Sequence, residues 1–130
     1  MASISDTPRL RSFAKATQRL AEALEAPTND LVRDATIQRF EFSFELGWKA
    51  IQEVLRQQGQ NCQSPKSCLR AAFKQGWIDN ETAGIQILDD RNLTSHTYNE
   101  DLAVAIYRRL PHHLRFFQQL LERLEAALHG

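Results

Sequence analysis

Glycine and proline are scarce, with five and four residues in a chain of 130. Turns and irregular segments draw on both, so the connections must be short. No stretch approaches 18 consecutive apolar residues, which excludes an ordinary transmembrane helix. The opening MASISDTPRL holds no long apolar run and does not read as a secretion signal. A cytoplasmic location is therefore expected, with no membrane as partner. Net charge is also missing, since 16 Lys and Arg balance 16 Asp and Glu. That argues against a protein that coats nucleic acid through bulk electrostatics, and leaves room for a small local site for RNA or a nucleotide. Cysteine is limited to Cys62 and Cys68. There is no Cys-x-x-Cys, and two thiols alone cannot close a structural zinc site. The pair reads as two reduced thiols without a chemical role, with a disulfide as the alternative.

What is present is apolar periodicity. Hydrophobic residues make up 42% and charged residues 25%, the balance of a folded chain. The length favours one domain over 1–130, with a core over about 8–128. Leu10, Phe13, Thr17, Leu20 and Leu24 recur at spacings of three and four, so a first helix is predicted over Pro8 to Glu25. Pro8 suits its first turn and Pro27 stops it.

A second helix is predicted from Asn29 or Asp30 to about Gln58, although two periods compete there. Phe40, Phe42, Phe44, Leu46 and Trp48 alternate with Glu41, Ser43, Glu45 and Gly47, which alone is a strand signal. Over the wider window Ile37, Phe40, Phe44, Trp48, Ile51 and Leu55 share one helical face, and Gly59 supplies a stop. Leu31, Ala35, Phe42 and Leu46 form a second stripe roughly opposite the first. Either this helix is central and buried all round, or its second stripe meets another chain. Gly47 permits a close helix contact.

A third helix is predicted over Pro65 to Gln75, capped by Ser64 and ended by Gly76, with Leu69 and Phe73 inward and Trp77 and Ile78 anchoring the turn that follows. A fourth covers Asn80 to about Thr94. The last begins at its cap Asn99, with Tyr98 and Ala103 as a weak staple. Its face is Leu102, Ile106, Leu110, Phe117, Leu121, Leu124 and Leu128, and Pro111 should kink it or split it in two. Together these elements predict an all-α, antiparallel up-and-down four-helix bundle with a short additional helix.

The segment LDDRNLTSHTYN, Leu88 to Asn99, concentrates polar chemistry that solubility does not require. Asn92 and His96 are four apart; on a continuing helix Asn92 could orient the His96 ring. A histidine exchanges protons at neutral pH. An arginine such as Arg91 can grip a phosphate through two parallel hydrogen bonds and stabilise developing charge. RNA carries its own nucleophile, the 2′-hydroxyl, so one base and one phosphate clamp can cleave it without metal. Tyr98 could stack on a base, bond a phosphate, or be modified. The purely structural alternative is that Arg91 pairs with a carboxylate across the bundle, His96 ends a helix and Tyr98 staples the next.

Arg108, Arg109, His112, His113 and Arg115 form a basic cluster around Pro111. Arg108, His112 and Arg115 share a face that could touch RNA or an acidic partner, or could simply be solvated. Glu41 and Glu45 sit one turn apart, but no Glu-x-x-His accompanies them, so no metal is expected. Glu45 and Lys49 form an i,i+4 pair. Without a Gly-rich phosphate loop or a Gly-x-Ser-x-Gly elbow, no cofactor is expected.

RNLTSHTY resembles the Arg-x4-His-x-Tyr motif of small helical proteins of the HEPN superfamily. RDATIQRFEFSFELGWK (Arg33 to Lys49) and LDDRNLTSHTYNE (Leu88 to Glu100) resemble the two signatures of one group in it, the nucleotidyltransferase substrate-binding proteins, and FKQGWID fits as well. The similarity runs over about residues 10 to 125. The resemblance implies a helical bundle that forms a homodimer and a small nucleotidyltransferase encoded nearby as partner. It implies a toxin that cleaves RNA without metal and is silenced by the transferase, with a non-catalytic subunit that binds substrate for the transferase as the alternative. Carried over, Arg91 stabilises the phosphate transition state, His96 is the general acid or base, Asn92 supports the site, and Tyr98 contacts RNA or accepts AMP. The opposed stripes on the second helix agree with a dimer.

Overall fold

A computed structural model describes residues 7–129. Helix α1 (Pro8–Glu25) places Pro8 in its first turn, where no backbone donor is needed, and gives way to extended chain at Ala26, ahead of Pro27. Helix α2 (Asp30–Gln57) starts where the Asn29 side chain accepts from the Val32 amide at 2.8 Å. At its end Gly59 takes a φ of 75°, which only glycine adopts freely. The Gln60 amide then donates to Leu55 and the Gly59 amide to Arg56, so the last carbonyls are satisfied.

Helix α3 (Pro65–Lys74) opens with a reciprocal Ser64/Ser67 cap and closes through Gly76, whose φ of 79° lets Trp77 donate back to Ala72. Trp77 and Ile78 are buried and anchor the link to α4 (Glu81–Leu93), which Asn80 caps. A 3-10 turn over Thr94–His96 leads to α5 (Glu100–His129), where Asn99 accepts from the Leu102 amide at 3.1 Å. The described residues are therefore all-α, with four main helices, the short α3 and no strand.

Aromatic rings join the long helices. Phe117 of α5 meets Phe13 of α1 edge-on at 5.8 Å and stacks near Phe40 of α2 at 6.0 Å. The alternation in α2 now has its reason. Ser43, Gly47 and Ala50 are buried, and these small residues let α1 approach. Ser43 donates to the Ala16 carbonyl at 3.2 Å, and a Cβ on Gly47 would lie 3.0 Å from the Phe13 ring.

Several expectations change. Leu31 is 81% exposed and Phe42 53%, so α2 is not buried all round: Leu31, Ala35 and Phe42 of its second stripe face outward, while Leu46 packs partly against the core. Phe73 is also exposed, because α3 is a single-sided outer helix that buries Cys68, Leu69 and Ala72 instead. Pro111 does not split α5, which is one element through residue 129. The proline lies on the exposed face, while Leu110, His113 and Phe117 pack inward on both sides and hold the axis together. The cysteines are not free thiols: Cys62 and Cys68 form a disulfide with Cα atoms 5.1 Å apart. The turn at Gly59 folds the loop back onto α3, and that path is invisible in a six-residue spacing.

Candidate functional site

The motif segment occupies the corner where α4 runs through the 3-10 turn into α5. Local hydroxyls build that corner. Thr94 Oγ1 donates to the Arg91 carbonyl at 2.6 Å and Thr97 Oγ1 to the Thr94 carbonyl at 3.0 Å. These bonds let side chains replace helical partners as the helix ends. Because the α-helix stops at Leu93, Asn92 does not orient His96. Its Oδ1 accepts from Arg91 Nη1 at 3.1 Å instead.

Arg91 lies half-buried against the face of Phe44, 5.5 Å from the ring centre. Its Nη2 donates to Glu45 Oε1 of α2. The second Glu45 oxygen accepts from Trp48 Nε1 at 3.3 Å. Arg91 thus does pair with a carboxylate across the bundle, as one of the two sequence readings had it. The expected Glu45–Lys49 pair does not form: Glu45 turns to Arg91, and Lys49 lies over the Trp48 ring at 5.9 Å.

His96 and Tyr98 both face outward. The Tyr98 hydroxyl is 3.5 Å from His96 Nδ1, at the outer limit of a hydrogen bond, and Tyr98 is 86% exposed. Exposure to that degree excludes the expected staple on Ala103. Arg91, Asn92, His96 and Tyr98 therefore share one corner, with the cation seated deeper and the imidazole and phenol at the rim.

Asp90, the residue before Arg91 in α4, heads a group that sequence reading did not assemble. Asp90 and His113 are 6% and 2% exposed. Asp90 accepts from His113 Nε2 at 2.7 Å and from Arg109 Nε and Nη2 at 2.8 and 2.7 Å. Burial opposes the carboxylate charge, but these hydrogen bonds and the Arg109 charge outweigh it and hold the Asp90 pKa down at about 2. His113 also stacks on Phe40 at 5.4 Å, and its Nδ1 is buried without a hydrogen-bond partner. The signal was in the sequence: His113 falls on the apolar stripe Ile106, Leu110, Phe117, and a buried imidazole needs a partner. The basic cluster divides accordingly. Arg109 and His113 serve Asp90, while Arg108, His112 and Arg115 are exposed on α5 with no hydrogen bond or ion pair among the described residues. Arg33 of α2 reaches Glu100 at 3.6 Å and so ties the start of α2 to the start of α5 beside the corner.

Among the described residues, no helix is long and apolar enough to cross a membrane, and no group of three or more His, Cys, Asp or Glu could hold a metal ion.

Comparisons with known proteins converge on this architecture. A crystal structure from Thermus thermophilus superposes with a TM-score of 0.81 at 43% identity, over 86% of this chain and 98% of that one. A Haemophilus influenzae structure, described as the fold of a substrate binding domain of a nucleotidyltransferase, gives a TM-score of 0.80 at 28% identity, over 88% and 98%. A Haemophilus influenzae protein named probable ribonuclease HepT is 34% identical over 100 residues, 73% of this chain and 68% of the relative. Residues 8–126 match the family described as nucleotidyltransferase substrate binding protein like. With both signature segments inside that match, the chain belongs to the nucleotidyltransferase substrate-binding protein family.

Proposed function

We propose that this chain is the binding subunit of a two-component nucleotidyltransferase system and holds a phosphate-bearing ligand, RNA or a nucleotide, at the Arg91 corner. The observation that carries the reading is that one corner of the chain carries a guanidinium, an imidazole and a phenol, with the last two exposed and 3.5 Å apart. Arg91 offers donors to phosphate oxygens, backed by Asn92 and the Phe44 ring. Tyr98 stands free to stack on a base or to accept a nucleotidyl group from the partner transferase. Arg108, His112 and Arg115 extend the surface for RNA or for that partner. The outward stripe on α2, Leu31 and Phe42 foremost, is the proposed homodimer face.

A second reading is metal-free RNA cleavage, in a HEPN-type toxin held in check by the transferase. It is favoured by the relative named as a probable ribonuclease, and by the placement of Arg91 and His96 on one corner. His96 would take the proton of the RNA 2′-hydroxyl or return one to the leaving oxygen, and Arg91 would stabilise the charge that develops on phosphorus-bound oxygen.

One experiment separates the two. Wild type, His96→Ala and Arg91→Ala are compared in EDTA for cleavage of single-stranded RNA and for binding of an uncleavable 2′-O-methyl RNA octamer. The binding subunit predicts Arg91-dependent binding with no cleavage that His96→Ala abolishes. The ribonuclease predicts cleavage lost in both variants. Absence of both Arg91-dependent binding and cleavage refutes both readings.

A further inference from the structure

Arg91 is not a bare cation in the free subunit. Glu45 holds Nη2 and Asn92 holds Nη1, so a carboxylate oxygen and an amide oxygen each occupy one of the terminal nitrogens that a phosphate would use. Glu45 is itself held. It lies in the middle of the 28-residue α2, and its other oxygen takes the Trp48 indole N–H. The two side chains are equally sheltered, each 32% exposed. A phosphodiester entering at Arg91 meets a like charge already in contact with the guanidinium, and two anions at that range repel strongly where water is partly excluded.

We propose that Glu45 is an internal counter-anion: it occupies the phosphate edge of Arg91 until a ligand displaces it, and so sets the threshold for binding. The inference rests on the reading of Arg91 as the phosphate ligand. It gives the corner a selectivity. A lone phosphate gains one contact and loses an ion pair. A strand that also reaches Tyr98 or the α5 cations has further contacts to offset the displacement. Trp48 becomes the reporter, because its hydrogen-bond partner moves when Glu45 lets go.

The test uses the full chain, the 2′-O-methyl RNA octamer and EDTA. Glu45→Gln keeps one acceptor oxygen for Arg91 and removes the competing charge, at the cost of the acceptor that Trp48 Nε1 uses. It should bind the octamer roughly fivefold more tightly than wild type, the scale of a partly exposed ion pair. The gain should vanish in the Glu45→Gln/Arg91→Ala double variant. In a Trp77→Phe background, octamer binding should change Trp48 emission, and Arg91→Ala should abolish the change. Equal or weaker binding by Glu45→Gln overturns the proposal. So does a gain that survives Arg91→Ala, which would mark a general charge effect, or Arg91-dependent binding to which Trp48 is silent. If Glu45→Gln fails to fold by circular dichroism, Glu45→Asp carries the test, since it retracts the charge by one methylene and should give a smaller gain of the same sign. Arg91-dependent binding in wild type without a gain in the Glu45 variants refutes the counter-anion alone. Absence of Arg91-dependent binding in every variant refutes the binding site as well.

Discussion

Asp90→Asn should destabilise the protein, and the loss should depend on pH in a defined way. The Asp90 carboxyl is nearly fully buried and lies within 2.8 Å of two Arg109 nitrogens and His113 Nε2. Its pKa falls from 3.8 to about 2 on folding. At roughly 1.4 kcal/mol per pH unit, the charged form contributes about 2 kcal/mol at pH 7. Because the folded value lies below the unfolded one, that stability is present above pH 4 and is lost as pH falls from 3.8 through about 2. About half should remain at pH 3, where the folded protein still holds the carboxylate and the unfolded chain has mostly protonated it. Asn keeps the size and one acceptor but no charge, and leaves Arg109 without a counter-ion and His113 Nε2 with a weaker acceptor. Urea unfolding of both proteins from pH 7 to pH 3 measures the difference, in which the other carboxylates cancel. A difference under about 0.5 kcal/mol at pH 7, or one that stays constant down to pH 3, would refute this account of Asp90.

Three further outcomes follow from named contacts. Thiol titration of the unfolded, unreduced protein should find no free cysteine, and Cys68→Ser should lower stability by about 2 kcal/mol, the expected loss for so short a closed loop; a full count of two thiols would sink the pairing. Gly47→Val should cost about 2–3 kcal/mol in thermal or urea unfolding, because even one carbon at that position comes within 3.0 Å of the fully buried Phe13 ring; a stability within about 0.5 kcal/mol of wild type would mean that the α1/α2 seam is looser than described. Leu31→Ser/Phe42→Ser should dissociate the proposed homodimer in sedimentation velocity while leaving far-UV circular dichroism unchanged, since both side chains are exposed; a variant that stays dimeric moves the interface off this face.

Helix existence, order and ends were legible in the sequence because they are local. Pro8, Asn29, Ser64, Asn80 and Asn99 mark the starts of the five helices, and Gly59 and Gly76 end two of them. A cap needs only the residues of its own turn. The motif Arg91 to Tyr98 was legible for the same reason, as types and spacing within one short segment. Its geometry was not. The 3-10 turn took Asn92 away from His96 and gave it to Arg91.

What only the tertiary structure decided are the pairings between distant residues. Arg91 with Glu45, Asp90 with Arg109 and His113, and Cys62 with Cys68 all depend on where helices and loops come to lie against one another. Periodicity fixes which face of a helix is apolar, but not the rotation and offset at which two faces meet. Those follow from the packing of Phe13, Phe40 and Phe117 and from the small residues that let α1 approach α2. The second stripe of α2 shows the limit plainly. Its sequence says that two faces are apolar, and only the packed bundle says which of them is left facing out.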